Sequence, residues 1–333
     1  MSTTGPGIAR AAYSDSAGWV VNQLLHDLQV NYLVSDPHQP GVVYAGSSAT
    51  GVMRSDDYGS TWQKIGMRGA DVRSLTASSH DPGTLYAGTR PAALHVSHDG
   101  GDTWQEIESF QRIPWKWLWF SPAGAPFTAY PLGIAISAAD PDVILVGIEF
   151  GAVVRSGDGG KTWSGHRKGA LRDCHSLIAH ALDGDWFYEA GGTGGGAAFS
   201  RDGGITWQQP KAGLDRSYGW ACAADPEDPS TWYVSAAPQP TILNPGAPPA
   251  HIDGQAQAFI YRSRNGEPFE KLGGGLPQPL DCMAYTLVTD PEHPGHLYAG
   301  LSTGDVWHSD DFGDTWQQLP FNLGSIERMM IIV

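Results

Sequence analysis

Hydrophobic and polar positions alternate along short stretches of this chain, and each stretch ends at a turn signal. Residues 72–78 (VRSLTAS) alternate, His80-Asp81-Pro82-Gly83 follows, and residues 84–89 (TLYAGT) repeat the alternation. After Arg90-Pro91 come residues 93–97 (ALHVS), a Gly-rich hairpin, and residues 103–107 (TWQEI). Period-two alternation bounded by Gly, Pro and Asp predicts strands. Four such strands in about forty residues are the size of one propeller blade. The same order recurs from residue 32 to 65 and from residue 285 to 319.

A second regularity overlies the first. The pattern S-x-D-x-G-x-T-W starts at Ser55, Ser97, Ser156, Ser200 and Ser309, and ends at Trp62, Trp104, Trp163, Trp207 and Trp316. A sixth, damaged copy starts at Ser263, with Asn265 in place of the Asp and Phe269 near the Trp position. Self-similarity of this kind marks a solenoid, propeller or array. Trp19, ahead of the first copy, ends a worn third-and-fourth strand pair, and residues 325–333 match only one inner strand. We therefore expect an all-β chain, residues 1–333 forming a single seven-bladed β-propeller. Its seventh blade would be assembled from both chain ends, since closure removes exposed sheet edges.

Turn chemistry explains the repeated box. The Asp accepts backbone N–H bonds across the hairpin, the Gly supplies positive φ, and the Trp covers the joint between blades. These boxes resemble the Asp-box (bacterial neuraminidase) repeat of sialidases, xyloglucan hydrolases, sortilin-type receptors and photosystem II assembly factors. That resemblance implies a propeller but no one activity. Sialidases resemble one another in an Arg-Ile-Pro segment ahead of the first box; here Arg112-Ile113-Pro114 follows the second intact one. Xyloglucan hydrolases of this repeat use a cleft between two propellers, and one is expected here.

Charge and composition narrow the partners. The formal net charge of −15, with no Lys/Arg-rich run, repels nucleic acid and anionic lipid. Three cysteines in apolar strands argue against a disulfide framework or structural zinc. No apolar run reaches membrane-spanning length, and residues 1–14 lack a secretory pattern, so a cytoplasmic setting is expected.

Two insertions interrupt the spacing: residues 109–131 and residues 236–258. In a four-stranded meander both emerge on one face, and long loops on a rigid scaffold are where function concentrates. The first carries Trp115, Trp117 and Trp119, which would share a face if extended, or would pack onto the disc. Aligning inner strands on the Asp of their following turns gives a mouth ring of His26, Asp71, Tyr130, Asp173 and Asp215, with Asp281 one step further in. Near it fall Arg73, His175, Arg216, Tyr218 and Arg328, while Arg90 and Glu149 come from neighbouring loops. Two readings follow. One is an enzyme acting on a small molecule or glycan, with Asp173, His175, Asp281 or Glu149 in acid–base roles. Arg73, Arg90, Arg216, Arg328, Tyr218 and the three tryptophans would bind substrate. His26, Asp71, Asp173 and His175 could hold a divalent metal; no other cofactor is expected. The other reading is a non-catalytic propeller that docks a protein or peptide on the Trp-rich face. A deep channel with convergent polar groups favours the enzyme, and an apolar rim over a side-chain-plugged channel favours docking.

Overall fold

A computed structural model describes residues 1–122, 124–192, 195–239 and 249–332. Among these the helical elements are three short 3-10 turns, Glu108–Arg112, Lys116–Leu118 and Pro249–His251; the regular remainder is antiparallel strand. None of the helices is long and apolar enough to cross a membrane.

The first sheet has seven strands, and its order brings both chain ends together. Arg328–Met329 lies beside Ser2–Thr3, then Gly5–Ser14, then the 18-residue strand Gly18–Ser35. Thr3 pairs with Arg328, and Ser2 with Met329. Gly18–Ser35 serves two blades: Trp19 pairs with Tyr13 on one side, and Leu33 pairs with Ala45 on the other. The inner strands then pack in succession: Gly18–Ser35, Asp71–Ala77, Pro131–Ile136, Cys174–Ala179, Tyr218–Ala224, Ala284–Thr289 and Arg328–Met329, which lies back against Gly18–Ser35. The sheets containing Pro131–Ile136 and Cys174–Ala179 have three strands rather than the expected four. Their fourth place is held by isolated contacts, such as the Phe199–Gln208 bridge.

All five intact boxes fold alike. In each, the Ser Oγ donates to the Asp at 2.8 Å and accepts the Gly N–H at 2.8–2.9 Å. The Asp also accepts from the Thr backbone N–H and the Thr hydroxyl. These donors favour the charged form, holding Asp57, Asp99 and Asp158 down at about 2. A Cβ on Gly204, which has φ +77°, would come within 2.4 Å of Leu145, so the hairpin requires glycine there. Trp207 and Trp316 are buried between blades. In the damaged copy Asn265 turns with φ +52°, and Phe269 fills the Trp place, buried against Trp232. The three cysteines are buried and free, and burial pushes the Cys222 thiol up to about 12.

Candidate functional site

A shared irregularity recurs along the inner strands, where the sequence reading placed the mouth. Late in Gly18–Ser35 and near the start of five other inner strands the pairing register slips: between Val30 and Tyr32, Val72 and Ser74, Pro131 and Gly133, Cys174 and Ser176, Gly219 and Cys222, and Ala284 and Thr286. The residues left out of the ladder are Asn31, Arg73, Leu132, His175, Trp220 with Ala221, and Tyr285. A bulge re-aims such a side chain out of the strand's alternation. Here several reach the next blade: Asn31 donates to Val72 O at 2.7 Å, His175 lies 4.3 Å from Trp220, and Trp220 lies 5.0 Å from Tyr285.

This register corrects the mouth ring. One backbone bond closes every inner-strand turn, donated by Asp36, Ser78, Ser137, His180, Asp225 and Asp290. Seven residues before these donors stand Gln29, Asp71, Tyr130, Asp173, Tyr218 and Met283. His26, Asp215 and Asp281 are therefore not ring members. The turn Asp itself donates in three blades, whereas in the other three Asp81, Asp140 and Asp183 come three residues later, so alignment on Asp slips by three. His26 and Asp281 are exposed. Asp215 is engaged instead by Lys271 at 2.7 Å and by Tyr261, and Arg216 is drawn to the same place, its guanidinium over Phe259.

The remaining mouth residues form two networks. In the first, Asp71 accepts from Arg73 and Ser48, each at 2.7 Å. Arg73 and Arg90 both lie 5.2 Å from the Tyr130 ring, and Arg90 also donates to Thr128. Glu149 accepts from Ser121 at 2.6 Å. Burial first, then the Glu149 carboxylate, raises the Tyr130 phenol above its ordinary value.

The second network centres on His175. Its Nδ1 lies 2.8 Å from Gly219 O; a carbonyl only accepts, so Nδ1 carries a proton and Nε2 faces Asp173 at 3.5 Å. Both residues are 2% exposed. Arg328 donates to His175 O at 3.1 Å. Beyond Trp220, His251 lies 2.9 Å from the Tyr218 hydroxyl and 2.7 Å from the Tyr285 hydroxyl. Burial, with the nearby His175 next, lowers His251 to about 4. A neutral imidazole has one donor and one acceptor, so one phenol donates to His251 and the other accepts from it.

Over these networks runs the first insertion. It is not extended: Trp115 has φ +65° and Lys116–Leu118 makes a 3-10 turn. Trp115 and Trp117 stay 6.4 Å apart and are 68% and 76% exposed. Trp119 turns inward against Phe110, with the Lys116 ammonium 5.7 Å from its ring. A cavity of about 460 Å³ opens beneath, walled by Trp115, Leu118, Trp119, Phe120 and Phe150, with His166, Arg172 and Asp173 on its border. Of the second insertion, residues 240–248 lie outside the described residues. The part from residue 249 onward contributes His251.

Among the described residues no three His, Cys, Asp or Glu side chains are placed to hold a metal ion. His26 and Asp71 stand apart from the Asp173–His175 pair. Trp220, Tyr285 and His251 escaped the sequence reading. The first two occupy the same bulge position as Arg73 and His175, and aligning turns on their backbone donor would have found them. His251 comes from a loop with no repeat to align.

Comparison with known proteins agrees on scaffold and diverges on activity. Residues 198–209 match the BNR/Asp-box repeat. The chain is similar to an ancestral GH74 enzyme (19% identity, TM-score 0.63, 95% of this chain and 39% of the other). It is also similar to the GH74 xyloglucanase of Xanthomonas campestris (20%, 0.60, 87% of this chain and 45% of the other). A third similar structure is YCF48 bound to D1 peptide (16%, 0.59, 93% of this chain and 88% of the other). The chain thus spans less than half the length of the two GH74 enzymes. No curated protein sequence matches it significantly. The molecule is an all-β propeller built from Asp-box repeats.

Proposed function

We propose that this propeller recognises a peptide or protein segment on its Trp-bearing face and is not a hydrolase. One observation carries the reading. Of the acid–base candidates, Asp173, His175 and Glu149 are buried among bonded neighbours and the exposed Asp281 stands off the ring, while Trp115, Leu118 and Phe120 are exposed at the wall of a cavity with Trp117 exposed beside them. Aromatic anchors around a desolvated pocket are what binding hot spots use, whereas a catalytic acid must reach the atom it protonates. Supporting this, the peptide-bound YCF48 structure aligns along most of its own length, and the two GH74 enzymes do not.

A second reading, glycan hydrolysis, is favoured by one feature: Asp173 borders the same cavity with His175 3.5 Å behind it. Displayed-peptide selection on the folded protein separates the two. We expect enriched peptides that bind the wild type and lose about tenfold or more in affinity in the Trp115→Ala/Leu118→Ala double variant. Turnover of a xyloglucan or sialoside panel that disappears in Asp173→Asn would replace docking with catalysis.

A further inference from the structure

Resting on the recognition reading, we infer that the ligand is an acidic segment carrying one large apolar side chain. The apolar group would fill the cavity under the Trp-bearing loop, with a carboxylate against Arg172.

Charge segregation is the first ground. The chain carries 35 acidic and 20 basic residues, yet residues 109–131 and 159–172, which supply most of the cavity wall, contain no Asp or Glu. They carry Arg112, Lys116, Lys161, Arg167, Lys168 and Arg172 instead. Lys116 and Arg167 are bonded to the carbonyls of Ala92 and Ile205, and neither is ion-paired among the described residues. Arg172 borders the cavity, is exposed, and has no ion-pair partner among the described residues. The one carboxylate on the border, Asp173, is buried against His175, so the accessible sign at this rim is positive. An acidic ligand is repelled by the averaged surface and steered to this place.

The cavity's chemistry is the second ground. Its apolar wall includes Leu118, Trp119, Phe120 and Phe150, with Phe120 and Phe150 5.4 Å apart. His166 offers little to a ligand: its Nδ1 accepts the Val153 N–H at 3.2 Å, which leaves a single Nε2–H donor. A sugar seated among these rings would leave the hydroxyls on its apolar-facing sides desolvated without partners, a cost of about a few kcal/mol for each group. An aromatic or branched aliphatic side chain would lose nothing on entry.

The test uses three fluorescein-labelled peptides on the folded protein: an Asp/Glu-rich peptide with a central Phe, its Asn/Gln counterpart, and the acidic peptide with Ala for Phe. Anisotropy should show the first binding about tenfold or more tighter than either control, with affinity falling as salt rises. Arg172→Ala should remove most of the acid preference, and Arg172→Lys should keep part of it. Equal binding of the acidic and neutral Phe peptides overturns this inference but leaves peptide recognition standing. Equal binding of the Phe and Ala peptides overturns the cavity assignment. Failure of all three to bind, while displayed-peptide selection yields basic or uncharged binders, also overturns the inference alone; failure of that selection as well overturns both readings.

Discussion

The two ends of each blade obey different rules. At the box end, five copies of one sequence make one set of hydrogen bonds, each with a 2.8 Å Ser–Asp bond. At the mouth end, six copies of one backbone irregularity display Asn31, Arg73, Leu132, His175, Trp220 and Tyr285. Identical residues in identical geometry serve the scaffold, because every blade has the same hairpin to close. Different residues on an identical backbone are free to make a site, because the bulge holds position whatever the side chain. Repetition marks what the fold needs, and its loss marks where specificity can be written.

Breaking the scaffold should have the largest effect. Trp316 is buried and its Nε1 donates to Gly313 O at 2.8 Å, so Trp316→Ala should cost about 3–5 kcal/mol in denaturant unfolding. A loss under 1 kcal/mol, on the same scale, would remove the Trp from the scaffold's account. Ser200→Ala should cost about 1–2 kcal/mol, since it strands the buried Gly204 N–H. The same substitution at Ser55 or Ser97 should cost the same to within about 0.5 kcal/mol if the boxes are equivalent.

At the mouth the expected effects are smaller and depend on pH. An ordinary imidazole takes its proton at 6.5, whereas His251 holds out to about 4. The folded pKa is depressed, so stability from seating neutral His251 between Tyr218 and Tyr285 is complete above about 6.5 and is lost as pH falls toward 4. The His251 ring resonances should titrate with a midpoint near 4. A midpoint close to 6.5 would mean that the two phenols do not hold the ring. Smallest of all, Trp117→Ala should leave unfolding stability within about 0.5 kcal/mol, since the indole is 76% exposed. A larger loss would make the loop part of the scaffold.

Much of the fold was legible because it is local. Alternation fixes strands and S-x-D-x-G-x-T-W fixes hairpins. The mouth was legible only in part. Asp71, Tyr130 and Asp173 fell into register because their blades place the turn Asp alike. His26, Asp215 and Asp281 did not, because a turn can put its carboxylate at either of two places and still make the same backbone bond.

By itself, the sequence determined the all-β repeat architecture and the repeated turn chemistry. These depend on periodicity and on contacts between residues a few positions apart. Only the tertiary structure decided that Trp119 turns inward while Trp115 and Trp117 stay out. It alone seated His251 between phenols from two different blades, and left Arg172 as the exposed charge beside an apolar cavity. Those outcomes depend on how a bulge aims a side chain and on which blade is the neighbour, and linear spacing carries neither.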